Sequence, residues 1–348
     1  MREFFVATLA LALGISACQS DSPTAPSTEP TLARGSARVY TPVNLGTLSG
    51  AVGFSSHASA INPAGQVVGW SDTDIGQHAF LWADGVMTDL GTLGGSFSQA
   101  YDINPKGQVV GYSATSPPGF ITHAFLWERG GMTDLGTLGG NYSQAMAINP
   151  AGVITGQSET GGGQVHAFLW RRGVMTDLGT LGGTFSQAND INPKGQVVGA
   201  STLPSGQLHA CLWENGAMTD LGTLGGTFSV ANAINPKGEI VGQAQTADGQ
   251  FHAFRWKNGV MSDLGTLEGG TLSSATGINP AGRIVGFSES ADGPVVGVLW
   301  EGGSITATLN PVGGGCCAEP EDINPAGQIV GASDLESDLE VATLWSRR

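Results

Sequence analysis

The eighteen residues from His166 to Gly183, HAFLWRRGVMTDLGTLGG, constrain this chain more than any other stretch, because they recur nearly unchanged from His78, His123, His209 and His252. Between copies runs a second phrase, such as SQAYDINPKGQVVGYS from Ser98 to Ser113. A Trp closes one segment at Trp82, Trp127, Trp170, Trp213, Trp256, Trp300 and Trp345, with spacings of 43 to 45. An Ile-Asn-Pro turn falls at Asn62, Asn104, Asn149, Asn192, Asn235, Asn279 and Asn324, so each marker appears seven times. A fixed period of this size means one supersecondary unit per repeat, stacked so that neighbours bury what a single unit cannot.

Each unit holds four strand-like segments. Segment A is small and polar, as in SQAYDIN. Asn-Pro-Lys-Gly then makes a turn in which Asn accepts, Pro pre-sets φ and Gly takes the positive φ. Segment B, QVVGYS, is rich in β-branched residues. A variable link leads to segment C, HAFLW, and Trp-x-x-Gly turns into segment D, VMTDLG. Gly or Pro interrupts every window long enough for a stable helix. Four antiparallel strands per period predict a propeller blade. The chain ends choose between a ring and an open solenoid. A spare segment D, VNLGTL (Val43 to Leu48), precedes the first segment A, and the last unit stops after VATLW (Val341 to Trp345). The expectation is an all-β, seven-bladed β-propeller of four-stranded blades, spanning 39–348 and closed by its N-terminal strand. Segment A lines its axis, and a parallel β-helix is the alternative.

These phrases resemble the bacterial extracellular HAF repeat, a family named for the His-Ala-Phe run. The resemblance covers about residues 39 to 345. It implies an exported repeat protein and brings no activity with it, since the family has no established common one.

The N-terminus agrees with export. Met1-Arg2 is a short basic start, and Phe4 to Leu13 is apolar but too short to span a bilayer. Ile15-Ser16-Ala17-Cys18 looks like a lipobox, which makes 1–17 a lipoprotein signal peptide and Cys18 the lipidated first residue; an ordinary signal peptide with an incidental Cys is the plainer reading. Gln19 stands where a retention Asp would sit, which favours the outer membrane or cell surface. The Ser-, Pro- and Thr-rich remainder of 18–38 reads as a flexible tether. The lipid is then the one membrane attachment.

Only 12% of residues are charged, Gly numbers 55 and the net charge is −15. Typical domains carry about 25% charged residues, so this chain is turn-rich and heavily buried. The 14 basic residues look scattered, and with a net negative charge they exclude a nucleic-acid partner.

The repeated His invites a metal reading, but segment C lies too far from the axis for the imidazoles to converge. His78, His123, His166, His209 and His252 are instead matched by Asp89, Asp134, Asp177, Asp220 and Asp263 in segment D. The two units with Val296 and Val341 in place of His carry Ala307 and Asn44 in place of Asp. Joint retention and joint loss predict a bonded pair across the C–D hairpin. Adjacent Cys316 and Cys317 are expected to bond to each other outside the cytoplasm, and Cys211, replacing the Phe of HAF, is a buried thiol. Tyr101, Tyr142 and Trp70 read as core; the alternative has Tyr101 and Tyr142 reaching the axial channel and Trp70 stacking on a sugar or peptide. The B–C links vary most and share one rim. There Asp72 and Asp74 would meet Asp334, Glu336 and Asp338 across the closure, as a solvated surface or as a calcium site clamping the seam. No other cofactor is evident.

The sequence therefore reads as a surface-anchored binding or scaffold module with a protein or glycan partner on the B–C rim. The alternative is a propeller enzyme acting on envelope or extracellular glycans or peptides, with no catalytic residues assigned.

Overall fold

The computed structural model describes residues 39–347, apart from 51–52, 117–120, 292, 316 and 336–338. Strand β1 is Tyr40–Asn44. After it come β2–β5 from Ser56 to Asp89, β6–β9 from Ser98 to Asp134 and β10–β13 from Gly139 to Asp177. Then follow β14–β17 from Ser186 to Gly222, β18–β21 from Gly225 to Asp263 and β22–β25 from Ser273 to Leu309. Strands β26–β28 run from Ala318 to Arg347. Five sheets have four antiparallel strands and one has eight, the latter being two such groups joined through the single parallel pair Tyr142↔Thr122. Antiparallel pairing throughout these units excludes the parallel β-helix. Strand β1 completes the last group in the order β1-β28-β27-β26, with Tyr40 opposite Arg347 and Asn44 opposite Thr343.

The B strands begin Val-Val-Gly or Ile-Val-Gly for a packing reason. Each A strand carries a register shift before its Ile, as between Ala58 and Ala60 or Ala100 and Asp102. The shift pushes an A-strand carbonyl onto the B strand. A Cβ on Gly69, Gly111, Gly156, Gly199, Gly242, Gly286 or Gly331 would overlap that oxygen, so only glycine fits. The C–D turns need the left-handed region twice in succession, at Asp84 and Gly85 (φ 51° and 85°) for example, as tight hairpin turns do.

Apolar side chains gather between units rather than within them. One cluster joins Val68, Ala79 and Leu90 to Ile103, Val109 and Phe125 of the next unit. Another joins Leu45, Val330 and Leu344 to Ile61, Val67 and Phe80, bringing both chain ends against the first unit. The Trp residues sit at these junctions. Trp300 and Trp345 are fully buried, and the Nε1–H of Trp213, Trp300 and Trp345 donates to Leu178, Leu264 and Asn310 carbonyls in the preceding unit.

Polar bonds follow the same plan. The Ser that opens segment A accepts the HAF Ala amide of the preceding unit at 2.8–3.0 Å, from Ser98 with Ala79 through Ser56 with Ala342. Each Asn of the Ile-Asn-Pro turn donates Nδ2–H to the carbonyl of the next unit's Asn at 3.2–3.4 Å. The seventh bond of that series runs from Asn324 to Asn62.

Deleting residues 19–48 removes β1 and should lower the melting temperature by several degrees, because a buried strand edge and Tyr40 are lost. Deleting 19–37 should leave it unchanged. Equal melting temperatures for the two deletions would refute a stabilising role for β1.

Candidate functional site

The inner strands β2 (Ser56–Ile61), β6 (Ser98–Ile103), β10 (Gly139–Ile148), β14 (Ser186–Ile191), β18 (Gly225–Ile234), β22 (Ser273–Ile278) and β26 (Ala318–Ile323) surround one cavity of about 370 Å³. Its wall includes His57, Tyr101, Asp102, Asn189, Asp190 and Glu321. The strands run along the cavity, so residue order along each strand is depth. The buried Asn series lies at the A–B-turn end, and His57, at the start of its strand, lies toward the B–C loops.

The middle tier is built from carboxylates. Asp102 accepts amide hydrogens from Ile103 and from Ile148 of the next unit, both at 2.7 Å. Asp190 does the same with Ile191 and Ile234, and Asp322 with Ile323 and Ile61. The strand bulge frees those amides from the ladder, and each acid serves two of them. Burial pushes Asp102 up to about 8 and Asp190 to about 7, against the pull of the amides, and it raises Asp322 too. Polar side chains one residue earlier make further crossings: Asn189 and Asn232 donate to the Ala231 and Ala275 carbonyls at 2.9 Å, and Thr276 to Pro320 at 2.7 Å.

The remaining arc, where the first and last units meet, has a different character. His57 Nδ1–H donates to Glu340, and Nε2 lies 3.8 Å from Glu321. Its ring stacks on Trp70 across the strand pair, with centroids 6.0 Å apart and planes 7° apart. Burial alone would lower His57, but the Glu340 bond and the charges of Glu340, Glu321 and Glu319 outweigh it and bring it to about 9. Burial raises Glu321 to about 7 and also raises Glu319. Three carboxyls thus share one imidazolium. Tyr101 extends the wall, stacked on Tyr112 at 5.5 Å. Tyr142 bonds Gln157 instead.

Several residues singled out in the sequence lie away from this cavity. Each of His78, His123, His166, His209 and His252 meets its Asp at 2.8–3.0 Å through Nδ1. The second oxygen of Asp89, Asp134, Asp177 or Asp263 caps the following Gly amide, as Asn44 also does without a His. Cys211 is fully buried, which pushes its thiol well up. Cys317 is buried, while Cys316, Glu336 and Asp338 lie outside the described residues, as does Cys18. Asp72 accepts the Ser55 amide, and the Asp72–Gly76 run is a tight hairpin held by Thr73, with no cage of oxygens. Among the described residues no three His, Cys, Asp or Glu are gathered to hold a metal ion. His57, Glu319, Glu321, Glu340 and the buried acids escaped the sequence reading. Their signal was there: SHASAIN and AEPEDIN depart from the repeat at the two ends of the chain.

No model of a known protein family matches the sequence, and no curated protein is similar to it. Solved structures are. The β-propeller domain of the Trilobed protease from Pyrococcus furiosus, which has an open velcro topology, shares a TM-score of 0.57 at 10% identity, over 84% of this chain and 97% of that one. A prolyl endopeptidase gives 0.57 at 11%, over 84% of this chain and 50% of that one. TolB from Acinetobacter baumannii gives 0.48 at 13%, over 72% of this chain and 61% of that one. This chain therefore spans half to three fifths of the last two proteins. At these identities the likeness shows the fold alone, an all-β arrangement of the β-propeller kind.

Two outcomes follow from the geometry. In a double-mutant cycle, His166→Ala and Asp177→Ala should couple by about 0.5 kcal/mol or more, since contacting residues do not add; additive losses would refute the pair's contribution. For pH, Asp102 and Asp190 hold a proton more tightly folded than at their ordinary 3.8, so their stabilising contribution is full below that value and lost as pH rises through about 7–8. His57 acts in the same direction, with its contribution full below 6.5 and lost through about 9. The melting temperature should fall between about pH 5 and pH 9, and a flat profile would refute the raised values.

Proposed function

We propose that this chain is a surface-anchored binding module: a seven-bladed propeller of HAF repeats, closed by its N-terminal strand, exported on signal 1–17 and held by lipid on Cys18. Ring closure is supported by the β1–β28 pairing and by the Asn324–Asn62 bond. No helix among the described residues is long and apolar enough to cross a membrane.

The observation that carries the binding reading is the cavity itself. All seven inner strands contribute to it, and toward its B–C-loop end its wall carries His57 and Glu321, with Glu340 and Glu319 acting on His57 from behind. Such an enclosure favours a ligand that brings a positive charge and an apolar stem to lie along Tyr101. Variable B–C links around the opening supply the rest of the contact. The second reading, an enzyme on glycans or peptides, draws on Glu321, a carboxyl raised to about 7 beside the cavity.

An array of peptides and glycans probed with the mature chain tests both. Cationic ligands should be retained, and Glu321→Gln should weaken retention by about tenfold or more, as loss of a partly buried charge partner does. Equal retention of acidic and cationic ligands would overturn the binding reading. Turnover of any array member, lost in Glu321→Gln, would establish the enzyme instead.

A further inference from the structure

The described Lys and Arg are not scattered in space. Lys106, Lys194 and Lys237 occupy A–B turns, with Arg283 just after another. Arg129, Arg171 and Arg172 occupy C–D turns, and Lys257 flanks a further one. Arg255 stands two residues before Lys257, and both reach Glu239 at 2.8 Å. Arg347 ends β28, opposite Tyr40. In a four-stranded antiparallel unit the A–B and C–D turns share one end. All ten described cations therefore lie at that end, against five carboxylates at its turns and strand ends, Asp84, Glu128, Glu214, Glu239 and Glu301, and the three buried acids Asp102, Asp190 and Asp322 at the level of Arg255. The B–C and D–A links at the other end carry no Lys or Arg among the described residues, and they hold Asp72, Asp74, Glu159, Glu268, Glu289 and Asp334. A chain with a net charge of −15 thus presents one net-positive end.

Two further observations mark the same end. Strand β1 starts there, since Tyr40 pairs with Arg347, so whatever precedes Val39 joins the domain at the basic end. Beside the cations stand exposed valines, Val86, Val174 and Val260, each following a C–D turn, together with Val39, all more than 60% exposed. Basic side chains mixed with exposed apolar ones suit the boundary of an anionic bilayer.

We infer that the A–B and C–D turn end docks on the anionic headgroup surface of the membrane that carries the anchor, turning the pocketed B–C end outward. This rests on the lipid-anchor reading for its setting, though the surface acts without the lipid. A tether of 21 residues (18–38) has a root-mean-square reach of about 25 Å. Random tumbling on it would expose either end, and the charge asymmetry selects one. The attraction works within a Debye length of about 8–10 Å, so it holds the end at the surface once the tether has delivered it.

The test uses the mature chain from residue 18 with Cys18→Ser, which cannot be lipidated, and vesicles of phosphatidylcholine with or without phosphatidylglycerol. Cosedimentation should require phosphatidylglycerol and fade with added salt. The combined Lys106→Glu, Lys194→Glu and Lys237→Glu variant, exposed positions all, should bind at least about tenfold more weakly, as expected for cations at an anionic surface. Asp72→Ala with Asp74→Ala, at the far end, should bind like the parent. Equal binding to both vesicle types, an unaffected triple variant, or displacement from anionic vesicles by an equal charge of heparin would overturn the inference, the last by pointing to a polyanion rather than a bilayer. Intact mass of the wild-type chain from cell envelopes reports separately on Cys18, so failure of the anchor and failure of the surface are distinguishable.

Discussion

One side-chain bond sets the geometry of the centre: the Asn amide of each Ile-Asn-Pro turn reaching the backbone of the next. Asn62 shows how much a single residue does. Its Oδ1 accepts from Ala64 and Gln66, fixing its own turn, while Nδ2 donates to Asn104. A neutral side-chain amide carries its acceptor and its two donors on separate atoms. Asp could shape the turn but could not donate, and Ser could not span both. The seven Asn side chains are nearly inaccessible, 1–3% exposed, where a missing partner would leave a polar group stranded at a penalty of about 1–3 kcal/mol. Turn formation inside one unit and docking between units are thus one event.

The tier above follows from a counting constraint. Each of Asp102, Asp190 and Asp322 satisfies two bulge amides, its own unit's and the next's, so the acids alternate with Ala147, Ala233 and Ala60. Seven inner strands cannot alternate evenly. The odd one carries Gly277, where a Cβ would crowd the Glu321 carbonyl, and Thr276 makes the crossing by hydroxyl instead. Where the first and last units meet, a further set of carboxyls toward the B–C end turns to a side chain instead. Glu319, Glu321 and Glu340 act on His57, of which His57 and Glu321 line the cavity. Structure and candidate site therefore use the same residue class in adjacent tiers, separated by whether an amide is within reach.

The repeat made most of this legible. Strand number per unit, turn chemistry, the joint fate of His and Asp, and the spare D segment were all readable, because each is local or is repeated at a fixed period. What the sequence hid were bonds between units. The partner of Asn62 Nδ2 is 42 residues away and that of Ser56 Oγ is 286 away, so neither has a local signature. Scattered cations resolved into one end only when turns were assigned to a side. The pocket acids were obscured for a different reason: AEPEDIN looks like a degenerate terminal repeat until Glu321 is placed against His57.

The pairing of β1 with β28 also dictates an order of assembly. A chain emerging from its N-terminus can form each successive hairpin as it appears, since every other strand finds its partner within one repeat. Tyr40–Asn44 must wait until Glu340–Arg347 arrives. Joining ends separated by some 300 residues carries a loop-closure entropy of about 5 kcal/mol by the logarithmic rule, although the intervening units, once stacked, reduce it by holding the ends close. The waiting strand would be a sticky edge. It is five residues long and includes Pro42, which offers no amide hydrogen to a wrong neighbour. Assembly is thereby local for most of the chain, with its slow barrier deferred to the final strand, so that arrival of Glu340–Arg347 and completion of the fold coincide.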